Sequence, residues 1–189
     1  LDGLQIARAN GGVKRNAIPS AASAVFAVAN RDEAIKLINE RIAEVRNEYK
    51  DVDPDGEIWV KEANFDDKVL TKDLSKRIID FLYTIHDGLY KKVDGSIVTS
   101  SNLGLLEDRE DSIFVNLMNR SEIDSQKEDW AKKQALLVEY FGGKAEVVSE
   151  YSGWQREDSP IIDLAKEVWK DVHGDEMLSL IHISEPTRR

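Results

Sequence analysis

The chain has 189 residues, 41% of them apolar, which suits one domain or a little more. It has no cysteine, which excludes disulfides and thiolate zinc sites. A formal charge of −10 opposes a phosphate backbone, and no apolar run nears the ~18 residues of a membrane span, so neither nucleic acid nor membrane is an expected partner.

Leu4-Gln5-Ile6-Ala7 alternates as a strand does, and Gly11-Gly12 marks a turn. Ala24-Val25-Phe26-Ala27-Val28 reads as a second strand, more fully buried, with Pro19 between the two, where a missing ladder N–H does least harm. Asn30, with Glu33 three residues on, predicts a capped helix. Ile35, Ile38, Ile42, Val45 and Tyr49 are expected to make one buried stripe, and the turn at 51–56 ends it. Glu57 to Phe65 predicts a strand with Ile58 and Val60 on one face. A second helix is expected from about Thr71 to Ile85, striped by Leu74, Ile78, Phe81, Leu82 and Ile85.

Ser96 to Leu106 and Asp111 to Met118 predict two strands joined by a charged turn at 107–110. Ser125 and Glu128 have capping-box spacing and open a third helix carrying Trp130, Leu137, Val138 and Phe141, which stops at Gly142-Gly143. Lys144 to Glu150 predicts a short strand. Ser159-Pro160 supplies a cap and a first-turn proline for a fourth helix, striped by Ile161, Leu164, Ala165, Val168 and Val172 and ended by Gly174. The order predicts an α+β fold, a largely antiparallel sheet with helices packed on it. One boundary is expected, near Tyr151-Ser152-Gly153-Trp154.

The two ends differ from this body. The chain opens on Leu1 with no methionine, as an internal start would, and shows no signal peptide. The run from Leu178 to Arg188 resembles the translation of a sequencing adapter, so residues 178–189 are expected to be foreign to the fold.

Chemistry is sparse. A catalytic metal needs several imidazoles or carboxylates converging on one point. The histidines are His86, His173 and His182, and no two are spaced to share an ion. His86 and His173 fall in the last turns of predicted helices, where a cation is favoured by the dipole. Asp66-Asp67 and Asp73 precede or open a helix, where carboxylates satisfy free N–H groups. No serine sits in a nucleophile elbow, and Gly11-Gly12 is too short for a phosphate loop.

Three stretches carry more information. Gly11-Gly12-Val13-Lys14-Arg15-Asn16-Ala17-Ile18-Pro19, Val98-Thr99-Ser100-Ser101-Asn102-Leu103-Gly104 and Tyr151-Ser152-Gly153-Trp154-Gln155-Arg156-Glu157-Asp158-Ser159-Pro160-Ile161 occur in that order. Each resembles a stretch of the aminoacyl-histidine dipeptidases, a family of dinuclear zinc peptidases. Asn119-Arg120-Ser121 falls where that family has an arginine-serine pair at a strand end. Val98 stands where many relatives have glutamate, and Ser20 where many have arginine.

The resemblance covers residues 1 to about 177. It implies that 1–150 is a lid and dimerisation domain, and that 151–177 begins the return into a catalytic domain. It implies a cytoplasmic homodimer that hydrolyses Xaa-His and similar dipeptides with two zinc ions. A glutamate outside this chain would serve as general base on a metal-held water. No zinc ligand of the family matches a position here, so a chain of these residues is expected to be inactive by itself. The lid's contribution would be substrate binding. Arg120 is the candidate to grip a terminal carboxylate with its fork, and Asn16 to donate to the substrate or the developing oxyanion. Thr99 and Asn102 are candidates for the pocket wall. The competing reading is a non-enzymatic α+β module that dimerises or binds a small ligand. A related deacylase or aminopeptidase with the same lid is a third.

Overall fold

A long central strand organises the sheet. The computed structural model describes residues 3–64, 68–93, 96–110, 112–153 and 159–177. Along them run β1 (Gln5–Gly11), β2 (Ala22–Ala27), α1 (Arg31–Tyr49), α2 (Lys72–Thr84), β3 (Gly88–Val93), β4 (Ser96–Arg109), β5 (Ser112–Ser121), α3 (Asp124–Tyr140) and α4 (Pro160–His173). The fold is α+β, as expected. All described pairings are antiparallel, in the order β2-β1-β4-β3, with β5 also on β4. β4 pairs with β5 from Thr99 to Arg109 on one side. On its other side it meets β3 at 96–101 and β1 at Leu106.

The chain divides into two compact units, Leu1–Gly153 and Trp154–Arg189. In the first, Ile6, Ala9, Ala34, Phe81, Ile85 and Val98 are buried apolar residues. β2, expected to be more fully buried, is half-buried or exposed, because it is an edge strand that pairs with β1 alone among the described residues. The α1 stripe, expected to be buried, is half-buried, with Tyr49 exposed. α2 lies on β1, where the Ser75 hydroxyl accepts from the Ile6 N–H at 2.9 Å. Phe81 meets Phe141 edge-on, with ring centroids 6.2 Å apart. The caps follow the sequence at two helices. Asn30 and Thr71 accept from the N–H groups of Glu33 and Leu74. At α3 they do not. The helix starts one residue before Ser125, at Asp124, and its cap position is Ile123, which has no side-chain acceptor.

Several expectations change. Residues 57–64 are extended but join no ladder, because they run beside α1 rather than a strand edge. Arg46 donates to the Ile58 carbonyl at 2.7 Å, and Arg31 pairs with Glu62 at 2.6 Å. Phe65 of that expected strand, with Asp66 and Asp67, lies outside the described residues. Residues 144–150 also form no strand, and Val147 and Val148 are exposed. β3 was not anticipated from the sequence. His86 lies beyond the C-cap of α2, not in its last turn. Its Nε2 contacts the Leu89 carbonyl at 3.1 Å, and its ring packs on Tyr90.

In the second unit α4 keeps the expected frame, with Ser159 as N-cap, Pro160 in the first turn and Gly174 in the left-handed conformation at its end. Its stripe is exposed: Ile161, Leu164, Val168 and Val172 retain 71%, 57%, 51% and 69% of their accessible surface. Trp154 and the rest of 154–158, like 178–189, lie outside the described residues.

Candidate functional site

Successive residues of a strand point to opposite faces, so the register of β4 on β5 sorts the candidate residues. Thr99 stands opposite Ser121, Ser100 opposite Arg120, Ser101 opposite Asn119 and Asn102 opposite Met118. Thr99, Ser101, Asn119 and Ser121 therefore share one face, and Ser100, Asn102, Met118 and Arg120 share the other.

The first of these faces is covered by α3, and the contact between them is polar. Thr99 Oγ1 bonds Ser121 Oγ at 2.9 Å and Gln126 Oε1 at 2.7 Å. Gln134 donates to Ser101 Oγ at 2.9 Å and accepts from Asn119 at 2.6 Å. Lys127 and Gln134 are the residues that α3 buries most fully, while Trp130, Leu137, Val138 and Phe141 are half-buried. Gln134 is held by the Ser101 hydroxyl and the Asn119 amide of the facing strands. Trp130 packs on Tyr90 nearby, with centroids 3.4 Å apart. Thr99 is 1% exposed and fully bonded, so it braces the helix and lines no accessible wall.

The other face holds Asn102 and Arg120, and Asn102 reaches the loop that carries Asn16. Asn102 donates its amide to the carbonyls of Ala17 at 3.0 Å and Arg15 at 3.4 Å. It thereby ties down the 12–20 loop that carries Asn16. Two glycines allow the approach. Gly12 has φ +73°, and a β-carbon there would run into the Gly104 carbonyl. A β-carbon on Gly104 would lie 2.7 Å from the Arg15 carbonyl carbon. Gly104 is also the extra residue where the β4–β5 register shifts between Leu103 and Leu105, a bulge. Asn16 is exposed in the turn, and its amide makes no hydrogen bond among the described residues.

Arg120 is exposed near the end of β5 and makes no ion pair among the described residues. The neighbouring acids are engaged elsewhere or stay apart. Asp124 pairs with Lys127 at 3.1 Å and accepts from the Gly153 N–H at 2.5 Å. That N–H bond, and then the Lys127 ammonium, hold its carboxyl below the usual carboxylate range. Lys127 also pairs with Glu150 at 3.8 Å and donates to the Tyr151 carbonyl. Gly153 fits against the strand end, where a β-carbon would meet the Glu122 carbonyl oxygen at 2.6 Å. A planar cation with five free donors is thus presented on a fixed strand, suited to a carboxylate or phosphate. Sequence reasoning missed Lys127, since a lysine in the first turn of a helix does not signal its partner, and it quoted Gly104 in a motif without its role as a bulge.

The first two motif stretches and the start of the third, 151–153, are therefore neighbours in space. Residues 12–17 approach 102–104, residues 99–101 pair with 119–121, and Gly153 closes on 121–122. No family model matches the chain. Over 173 residues it is 28% identical to the cytosol non-specific dipeptidase of Escherichia coli (strain K12), covering 88% of this chain and 36% of that protein. It superposes on the crystal structure of aminoacylhistidine dipeptidase from Vibrio alginolyticus with a TM-score of 0.77 and 26% identity. That match covers 92% of this chain and 36% of the other. The chain is homologous to these dipeptidases. It spans about a third of their length. Among the described residues no group of three histidine, cysteine, aspartate or glutamate side chains is placed to hold a metal. The donor set of the described residues does not fit zinc.

Proposed function

We propose that this chain is part of a metal-dependent dipeptidase acting on Xaa-His and similar dipeptides. In this reading 1–150 is the lid and dimerisation domain of a cytoplasmic homodimer. Residues 151–177 begin the return to a catalytic domain that holds two zinc ions and the general base on residues outside this sequence. The observation that carries it is homology to dipeptidases along nearly the whole chain. The exposed stripe of α4 supports a missing packing partner, because a contiguous apolar face is seldom left to water.

Within the lid, Arg120 grips the terminal carboxylate of the substrate. Its fork is free among the described residues, and its strand is held on one side by β4 and at its end by the Gly153 contact. Asn16 hydrogen-bonds the substrate or the developing oxyanion from the loop that Asn102 secures. Asn102 and Thr99 serve by holding loop and helix in place. A fixed cation costs little reorganisation when substrate arrives.

The test is to recover the complete reading frame from its source DNA and assay Xaa-His hydrolysis with and without zinc, beside the 189-residue chain. Metal-dependent activity in the full protein and none in this chain is the expected result. No activity in either, and no metal-ligand motifs upstream, would overturn the reading and leave a binding or dimerisation module. In the active full protein, Arg120→Ala should lower kcat/KM by ~30-fold or more, since losing one buried charge-assisted contact costs ~2–5 kcal/mol.

A further inference from the structure

The strand 99–101 carries three hydroxyls in a row, and the fold uses only two of them. Thr99 and Ser101 are buried and bonded to Ser121, Gln126 and Gln134 on the face that α3 covers. Ser100, between them, turns to the other face, is half-buried, and makes no side-chain hydrogen bond among the described residues. Its partner across the ladder is Arg120. Directly opposed residues in an antiparallel pair hold their β-carbons about 4.5–5.5 Å apart, so the hydroxyl stands beside the root of the arginine side chain. Two residues along the strand, Asn102 anchors the loop that bears Asn16.

A half-buried hydroxyl and, on the residue paired with it across the ladder, an exposed guanidinium, neither with a partner among the described residues, are two donors that one acceptor can bridge. A carboxylate has two oxygens and about four lone-pair sites, more than one arginine fills. We propose that Ser100 is a specificity-determining residue that donates a second hydrogen bond to the terminal carboxylate held by Arg120. It rests on the reading of Arg120 given above. The substrate class it selects is a dipeptide with a free, ionised C-terminus. A C-terminal carboxamide keeps the acceptor oxygen but loses the charge, and it brings an NH2 donor against two donors.

The experiment uses the complete enzyme with Ser100→Ala, Ser100→Thr and Arg120→Ala, each assayed on a dipeptide and on its C-terminal amide, with melting temperatures as a control. Removing one hydrogen bond to a charged group should raise KM for the dipeptide about tenfold, with kcat changed less than twofold. The amide should be hardly affected, and Ser100→Thr should restore most of the loss. Because the Ser100 hydroxyl has no partner here, Ser100→Ala should melt with the parent. If Ser100→Ala leaves dipeptide kinetics unchanged while Arg120→Ala does not, Ser100 is overturned and Arg120 stands. Should Arg120→Ala also change nothing, the reading of the site has failed and this inference with it. Equal losses on acid and amide would make Ser100 structural and overturn the proposal.

Discussion

Lys127 shows how much one side chain can organise. It is 7% exposed, yet its ammonium reaches Asp124, Glu150 and the Tyr151 carbonyl, so it fastens 150–153 to the start of α3. Lys127→Met keeps the packing stem and deletes the donor. It should cost about 2 kcal/mol in chemical denaturation, the scale of a hydrogen bond involving a charge. An unchanged midpoint would mean the contacts contribute nothing. Asp124 adds a pH dependence. Its carboxyl is held below the usual range, first by the Gly153 N–H and then by Lys127. A carboxylate depressed by folding contributes stability that is complete above its unfolded pKa and lost as pH falls through its folded one. The melting-temperature gap between the parent and Asp124→Asn should therefore be full at neutral pH and close as the solution is acidified past the ordinary carboxylate range. A gap that stays constant would assign the loss to geometry rather than charge. Neither residue was legible in the sequence, where a lysine in the first turn of a helix reads as a solvated surface group.

Elements with an inward apolar pattern or a capping residue were legible. The helices α1, α2 and α4 lie where Asn30, Thr71 and Ser159-Pro160 put them. β3 was not, because its residues are mostly exposed and include Lys91 and Lys92, so no alternation marks it. The failed strands at 57–64 and 144–150 have apolar residues but no edge to pair with, and a single sequence does not say which edges are free. α3 was placed, but its most deeply buried residues are polar: Gln134 meets Ser101 and Asn119 on the sheet, and Lys127 meets Asp124, Glu150 and the Tyr151 carbonyl. For α4 the stripe was read correctly, and the exposure of Ile161, Leu164 and Val168 is that of residues whose packing partner lies outside this sequence in the proposed reading. With the stripe in water, Ile161→Glu or Val168→Glu should leave the melting temperature of this chain nearly unchanged, as exposed substitutions usually do within ±0.5 kcal/mol or so. Binding of an apolar dye should fall. A large drop in melting temperature would show that the stripe is packed.

At the scale of the whole molecule, the metal question has a direct test on this chain. No described cluster can hold an ion, so a chelator should not move its melting temperature, although under the proposed function it should stop hydrolysis by the full-length protein. A chelator-sensitive melt would place a metal on these residues. The candidate site was half legible. The motif stretches named Arg120, Asn16, Thr99 and Asn102, but which of them share a face depends on the β4–β5 register, and sequence spacing alone does not set it. Gly104 is why period-two counting fails along β4, and it also sets an unusual rule for change. Leu103 opposes Leu117 and Leu105 opposes Asn116, neighbours on β5, so removing Gly104 would leave every other side chain on its present face. Replacing it with alanine would drive a methyl group into the Arg15 backbone. At this position the loss of a whole residue should be the milder accident, and an alignment that penalises gaps above mismatches would rank the two the wrong way round.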